Sequence, residues 1–404
     1  MEAHAPVIVV GAGLAGLRCA QSLNISGFKV AVLEKSDEVG GRLRSRRVDG
    51  YVIDEGFQLV NPSYPELVAT GVLDTLDLRA FEAAIEFHRA GRVRVLADPR
   101  HAPLDALKSL GQWPVTSLAR LGVLMVSTQL TSASRIAVRE DLTTLEGLRR
   151  AGLNEDMIDT VMRPFLRGAL LDDKLTTSWA FSQLLLKSFG RGRPSTLPDG
   201  IGAIAHALAA RSGASIQLNA DVTHVEAHAV EVNGERIECA AVVVATDAVD
   251  AARLTNVPHV NWQRQLCWWW STPTTSASAR LHIDLDDAVT TSALDLSAVA
   301  PERAPTGMSL IATPSNTGTT LDEARARESV AKLYNLDTRD VGLVTVTDVP
   351  RALPHVAPPF RARRDNTSDG VILAGDYLTS SSIQGALVSG RRAATSVRQS
   401  LRGR

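Results

Sequence analysis

The chain has 404 residues, 45% hydrophobic and 22% charged, close to the averages of soluble globular proteins, and at about 150 residues per domain it holds two to three domain equivalents. A peptide, a disulfide miniprotein and a coiled coil are excluded. With 43 basic against 44 acidic side chains the formal charge is −1, so no global field drives binding to nucleic acid or to an anionic membrane.

The basic residues are 37 Arg and only 6 Lys, which leaves few places for lysine chemistry. Cys19, Cys239 and Cys267 are odd in number and scattered, against a disulfide framework or a cysteine metal site, and a reducing cytoplasm is expected. Residues 1–6 lack a positive n-region and the apolar run after them breaks at Gly11, so a strand is expected there and not a signal peptide. No eighteen consecutive apolar residues occur, which removes a transmembrane helix and leaves peripheral membrane contact open.

In chain order, residues 7–10 (VIVV) form an apolar β-branched run typical of a buried parallel strand. The GAGLAG loop follows, then a segment with helical apolar spacing, and a second apolar run from Phe28 to Leu33 ends at Glu34. This is a βαβ unit of the expected length. Residues 64–190 carry helical stretches at 104–130 and 155–171 and read as an insertion. A Pro-Asp-Gly turn opens a helix near 199–213, and the following text supplies three or four strands, with Asn233-Gly234 marking a tight hairpin. Strand-like segments at 267–271, 278–285, 307–313 and 343–348 surround a helix near 322–335, and VILAG at 371–375 is another buried strand. The stretches 271–278 and 354–369 read as loops. Two interleaved domains are expected, one from residues 1–63, 196–256 and 354–404, the other from 64–195 and 257–353.

Gly11, Gly13 and Gly16 follow a strand and open a helix, where a missing Cβ lets backbone approach a pyrophosphate and free N–H groups stabilise it, with Leu14 and Ala15 between them. Glu34, eighteen residues after Gly16 and followed by Lys35, stands where a carboxylate accepts hydrogen bonds from ribose hydroxyls. These features point to a dinucleotide without separating NAD from FAD.

Just beyond the second strand stands Val39-Gly40-Gly41-Arg42. Here the chain resembles the flavin amine oxidase and phytoene desaturase superfamily of FAD enzymes. The resemblance implies that Gly40, Gly41 and Arg42 lie against the pyrophosphate and ribityl part of FAD, and forked guanidinium donors suit phosphate oxygens. It extends to Gly56 and Phe57 beside the flavin ring, to Val222 bracketing the adenine, and to Thr246 on a strand near the dinucleotide. At the C-terminus, Gly375-Asp376 and Ser382-Ile383-Gln384-Gly385-Ala386 resemble the family's last flavin elements. Asp376 would accept from the ribityl chain, and a helix starting near Ile383 would aim its N–H groups at the flavin N1/C2 edge, favouring the reduced state. The implied fold is α/β: a Rossmann-like FAD-binding domain of the GR2 type interleaved with an α+β substrate-binding domain.

The resemblance further implies an FAD-dependent oxidoreductase that removes hydride from a largely apolar small molecule by dehydrogenation, desaturation or oxidation. Relatives that oxidise amines commonly place a Lys near the flavin N5, yet no Lys occurs between Lys187 and Lys332. This moves the reading toward phytoene desaturases, with a flavin amine oxidase or a redox-neutral FAD-dependent isomerase as alternatives and a noncatalytic binding protein as a third. No family Cys for covalent attachment appears in the C-terminal block, so FAD is expected to be noncovalent. The electron acceptor and the catalytic residues stay unassigned. Cys267-Trp268-Trp269-Trp270 reads as a strand with one Trp face in packing or lining an apolar substrate pocket. His88, His206, His224, His282 and His355 lack ligand spacing, so no metal is expected; His355 is the best of them for catalysis because it precedes the last flavin segment. Ser380 to Ser382 is expected to cap a helix.

Overall fold

The strand Val7–Val10 is buried along its whole length and runs parallel between Val30–Leu33 and Ala241–Val244, the pattern an uninterrupted β-branched run requires. The protein is described here from a computed structural model covering residues 5–255, 257, 259–273, 279–286, 292–315, 322–361 and 366–402. Residues 1–4, and positions 274–278 and 362–365 of the two expected loops, lie outside the described residues.

Ser215–Gln217 extends the sheet on one side, and Val371–Leu373 with the antiparallel edge Thr367–Ser368 on the other, giving six strands. The chain leaves Val7–Val10 through the helix Leu14–Ile25 toward one flank, while the strand from residues 241–244 lies on the other. The C-terminal end of the central strand is therefore a topological switch point, where ligands of such sheets bind. The helices Leu14–Ile25 and Ile383–Arg402 cover one face over a shared apolar cluster. A meander, Val222–Glu226, Ala229–Val232 and Glu235–Glu238, covers the other. Its tight turn uses Asn233 and Gly234, both with positive φ, as the Asn-Gly pair predicts.

A second sheet of seven strands is ordered Gly342–Pro354, Trp262–Pro273, Met308–Ser315, Ser292–Asp295, Leu281–Asp284, Ala84–Arg89, Arg92–Ala97. The last two form a hairpin inside the region read as helical, so that reading is incomplete. Helices Val115–Leu130, Arg163–Leu170 and Trp179–Phe189 pack beside this sheet around Phe87, Ile283 and Leu166, and Pro103–Ser109 lies against the strand Arg92–Ala97. A Rossmann-like domain thus interleaves with an α+β one, as expected.

Trp268, Trp269 and Trp270 do alternate, but both faces are core. Trp268 and Trp270 stack at 5.7 Å under the helix Glu323–Tyr334, while Trp269 packs with Tyr51, Ile53 and Phe81. Their burial leaves none of them to line a pocket, because helix and domain contacts close both sides of this central strand.

Candidate functional site

The switch point opens into one continuous cavity of about 1610 Å³, larger than the roughly 300–1,000 Å³ of a site for one drug-sized ligand. The glycine loop, the Gly40-Gly41-Arg42 segment, Val222, Thr246 and the C-terminal block converge on its wall. Seventeen of the twenty sequence-assigned residues line it: Gly11, Gly13, Leu14, Ala15, Glu34, Lys35, Gly40, Gly41, Arg42, Phe57, Val222, Thr246, Gly375, Asp376, Ser382, Ile383 and Ala386. Gly16, Gly56 and Gln384 do not. Gly16 lets the loop close, since a Cβ there would stand 2.0 Å from the Gly11 carbonyl oxygen. Gly56, at φ +84°, turns toward Gln265, and the Gln384 amide oxygen instead accepts from the Glu66 N–H at 3.0 Å.

Whether the wall suits a dinucleotide is answered by its empty space and its donors. A side chain at Gly13 would meet nothing within 4 Å, and the helix that Gly13 begins has no side-chain cap. That leaves first-turn N–H groups and the positive end of the helix facing open volume. Buried Glu34 accepts from the Ala12 N–H at 2.7 Å and the Ser36 N–H at 3.0 Å, which orients its carboxylate and leaves two acceptor lone pairs for hydroxyls. Lys35 pairs with Asp250 across the rim. Arg253 donates to the Val222 carbonyl at 3.2 Å, fixing the strand end beside Glu34. These residues fit the adenosine and pyrophosphate of a dinucleotide.

Arg42 links the first block to the last: it donates to Asp376 at 2.7 Å and to the Ala352 carbonyl at 2.9 Å, and lies over the Trp262 ring. Burial disfavours the cation, but Asp376 outweighs this and holds the guanidinium above its ordinary pKa. At the opposite wall Gln265 clamps the backbone, accepting from the Phe57 N–H at 2.8 Å and donating to the Phe57 carbonyl at 3.3 Å. Nothing around Gln265 in the sequence marks it, because its partner is 208 residues away. The Ser382 hydroxyl accepts from the Gly385 N–H at 3.0 Å at the start of the last helix.

The far arm of the cavity is largely apolar, with Asp98, Arg100, His101 and Gln129 among its polar members. Leu118, Leu121, Met125, Phe165, Leu185 and Phe189 line it from the helices, and Leu281 and Leu294 from the sheet. Among the described residues Lys35 is the lysine on the wall, at the adenosine end. Lys187 instead is buried, donating to the Thr128 and Thr131 carbonyls at 3.0 and 2.8 Å, and Lys332 pairs with Asp284 and Asp286. His355 lies off the cavity wall, hydrogen-bonded to Gln263 at 3.1 Å. All three cysteines are buried and unpaired, and burial pushes the Cys19 thiol up to about 12 and the Cys239 thiol up to about 11.

A dinucleotide-type cradle at a switch point is thus joined to a largely apolar chamber beside a separate sheet. The chain belongs to the flavin containing amine oxidoreductase family, whose profile matches residues 14–398. It is similar to putrescine oxidase from Kocuria rosea, 36% identical over 121 residues, 30% of this chain and 24% of that one. It is also similar to mitochondrial protoporphyrinogen oxidase from Nicotiana tabacum, 27% identical over 191 residues, 46% of this chain and 37% of that one. The matches span a quarter to about half of such relatives' length. Among solved structures, cyclohexylamine oxidase from Brevibacterium oxydans shares the fold over 99% of this chain and 100% of that one, at TM-score 0.73 and 15% identity. No helix among the described residues is long and apolar enough to cross a membrane.

Proposed function

We propose that the protein binds FAD noncovalently and removes hydride from a largely apolar small molecule. The observation that carries the reading is the apolar arm, continuous with the dinucleotide cradle. Residues 1–63, 196–256 and 354–404 form the FAD-binding domain in this reading, and 64–195 and 257–353 the substrate domain. FAD supplies the hydride acceptor at N5. The chain's own residues would hold it: Gly13 and the helix start the pyrophosphate, Glu34 the ribose, Arg42 and Asp376 the ribityl region, and Phe57 the ring. The apolar arm would exclude water and orient substrate, with no lysine at hand to hold a water beside the flavin. Cys19, Cys239 and Cys267 are all buried away from the cavity wall, which supports a noncovalent flavin, and their unpaired thiols suit a reducing cytoplasm.

The cavity mouth supports peripheral membrane contact as the source of substrate. Leu107, Leu110, Val126 and Leu130 both line the cavity and stand open to solvent, with Leu104, Val115, Val123 and Val138 exposed around them. Lys108, Arg120, Arg135 and Arg139 are exposed among these residues. The acid of this segment, Asp105, is engaged by Arg280 at 2.7 Å. Apolar side chains with a basic rim suit an anionic bilayer surface.

Purified protein should be yellow, and acid precipitation should release all its flavin as FAD. Anaerobic mixing with polyenes or porphyrinogens should bleach the flavin absorption, and amines should not. Bleaching by amines alone would favour the amine oxidase alternative, whereas turnover seen only after prereduction, with no acceptor consumed, would favour the isomerase. Cosedimentation with anionic vesicles should fall in a Leu104→Ser/Leu130→Ser variant; equal binding would remove the membrane element.

A further inference from the structure

Alternation along Ala84–Arg89 puts Glu86 and His88 on one face of their strand. The neighbouring strand Leu281–Asp284 runs parallel, with His282 paired directly to Glu86, so a third donor joins the same face. The intervening Phe87 and Ile283 point the other way into the helical core, and Ile85 and Leu281 toward the substrate cavity. The trio is thus outside the flavin site.

Its geometry is that of a ligand set. His88 Nε2 and His282 Nδ1 share a hydrogen bond of 3.1 Å, Glu86 Oε2 stands 3.5 Å from His282 Nδ1, and it stands 3.7 Å from His88 Nε2. The point equidistant from three atoms so spaced lies about 2.0 Å from each, within the roughly 2.0–2.2 Å of zinc–nitrogen and zinc–oxygen bonds. The carboxylate is held from behind, since Arg280 donates to its other oxygen at 3.1 Å, the outer contact that orients metal ligands. Glu82, Glu86, Asp105, Asp284 and Asp286 outnumber Arg280 and Lys332 around the two imidazoles, leaving a local negative balance. Of the facing nitrogens His88 Nε2 and His282 Nδ1, one carries the proton of their shared hydrogen bond, and an ion between them would take that proton's place. His282 is buried, while His88 and Glu86 keep some exposure, which gives an ion a way in.

We propose that Glu86, His88 and His282 bind a divalent transition metal of the zinc class, with water in the fourth position. Two imidazoles and one carboxylate suit zinc, nickel or copper better than magnesium or calcium, which prefer all-oxygen cages. The proton shared by His88 Nε2 and His282 Nδ1 leaves that position when the ion binds, to the far nitrogen of its own ring or to solvent. The ion would pin the hairpin 84–97 to the rest of the seven-stranded sheet, on the face covered by the helix Glu323–Tyr334. Its role is structural, since the flavin cavity lies on the opposite side of these strands.

Untagged, flavin-loaded protein is stripped with a chelator, then dialysed against Zn²⁺ or, separately, Mg²⁺. Elemental analysis should find one zinc per chain and no retained magnesium, and zinc should raise the thermal midpoint. Glu86→Gln and His88→Gln should each weaken zinc at least about tenfold at unchanged flavin content. His88 lies at the rim, so its variant keeps the test decisive should Glu86→Gln fail to fold. Wild type retaining no stoichiometric zinc, or a folded His88→Gln protein binding zinc as tightly as wild type, would overturn the assignment.

Discussion

At Gly13 the backbone φ is −73° and a side chain would enter open cavity, whereas at Gly16 it would collide with the Gly11 carbonyl. The two glycines of one loop therefore separate binding from folding. Gly13→Val should fold with a near-normal melt but lose most of its flavin, while Gly16→Val should lower the melting temperature itself. The flavin-to-protein absorbance ratio and a thermal melt check both; full flavin in Gly13→Val would mean that the loop holds no phosphate. Asp376→Asn keeps the shape of the Arg42 contact and removes its negative charge. The local balance then shifts positive, so flavin retention should fall and the reduction potential should rise, read by redox titration; unchanged affinity and potential would take Asp376 out of the site. These residues were legible because each sits in a short motif whose backbone geometry dictates its residue types. Gln265, His282 and Arg303 were not, because their roles come from partners hundreds of residues away.

Among the elements, two hairpins of similar turn geometry differed in how plainly they could be read. Asn233-Gly234 announces its turn, whereas Arg89 to Arg92 turns through Ala90 and Gly91, both at positive φ, with an alanine where Asn or Asp usually stands. The hairpin 84–97, which precedes the helical stretch read at 104–130, went unread for that reason. Asp172 organises the link between the helices Arg163–Leu170 and Trp179–Phe189. It accepts from the Lys174 N–H, the Thr176 hydroxyl, and the Thr177 N–H and hydroxyl, at 2.7–3.1 Å. Burial raises its pKa, but the Thr177 and Thr176 donors prevail and hold it below the ordinary carboxylate value. The unfolded chain thus takes up this proton first as pH falls, so the contribution is full above about pH 4 and is lost as pH drops through the lower folded value. Asp172→Ala should cost about 1–3 kcal/mol at neutral pH through unpaired buried donors and flatten the acid limb of stability. Parallel pH–stability curves for variant and wild type would contradict this.

On the scale of the whole molecule, the sheet that carries the tryptophans could be read as strands, but not as doubly covered, since alternation gives faces without saying what lies against them. Beside the packing of Tyr51 and Ile53 on Trp269, a buried ion pair ties the turn Pro301–Arg303, which precedes the strand Met308–Ser315, to the nucleotide-type segments. Arg303, fully buried, lies 2.8 Å from the equally buried Asp54 and donates to Thr196 Oγ1 at 2.7 Å and the Val52 carbonyl at 2.9 Å. Asp54 also accepts from the Ser45 hydroxyl at 2.7 Å and the Ile201 N–H at 2.9 Å, so three distant segments meet at one charge pair. Two opposite effects act here: bringing both charges out of water is costly, yet removing one partner strands the other. The second dominates for a single change, so Arg303→Met should cost about 3–5 kcal/mol, and Arg303→Met/Asp54→Asn should recover part of that loss. Denaturant midpoints should be compared on flavin-free protein, because a ligand that binds only the folded state masks such differences by mass action. A double variant no more stable than Arg303→Met would show that the hydrogen bonds to Thr196 and Val52, not the charge pair, tie the turn 301–303 to the segments around Val52 and Thr196.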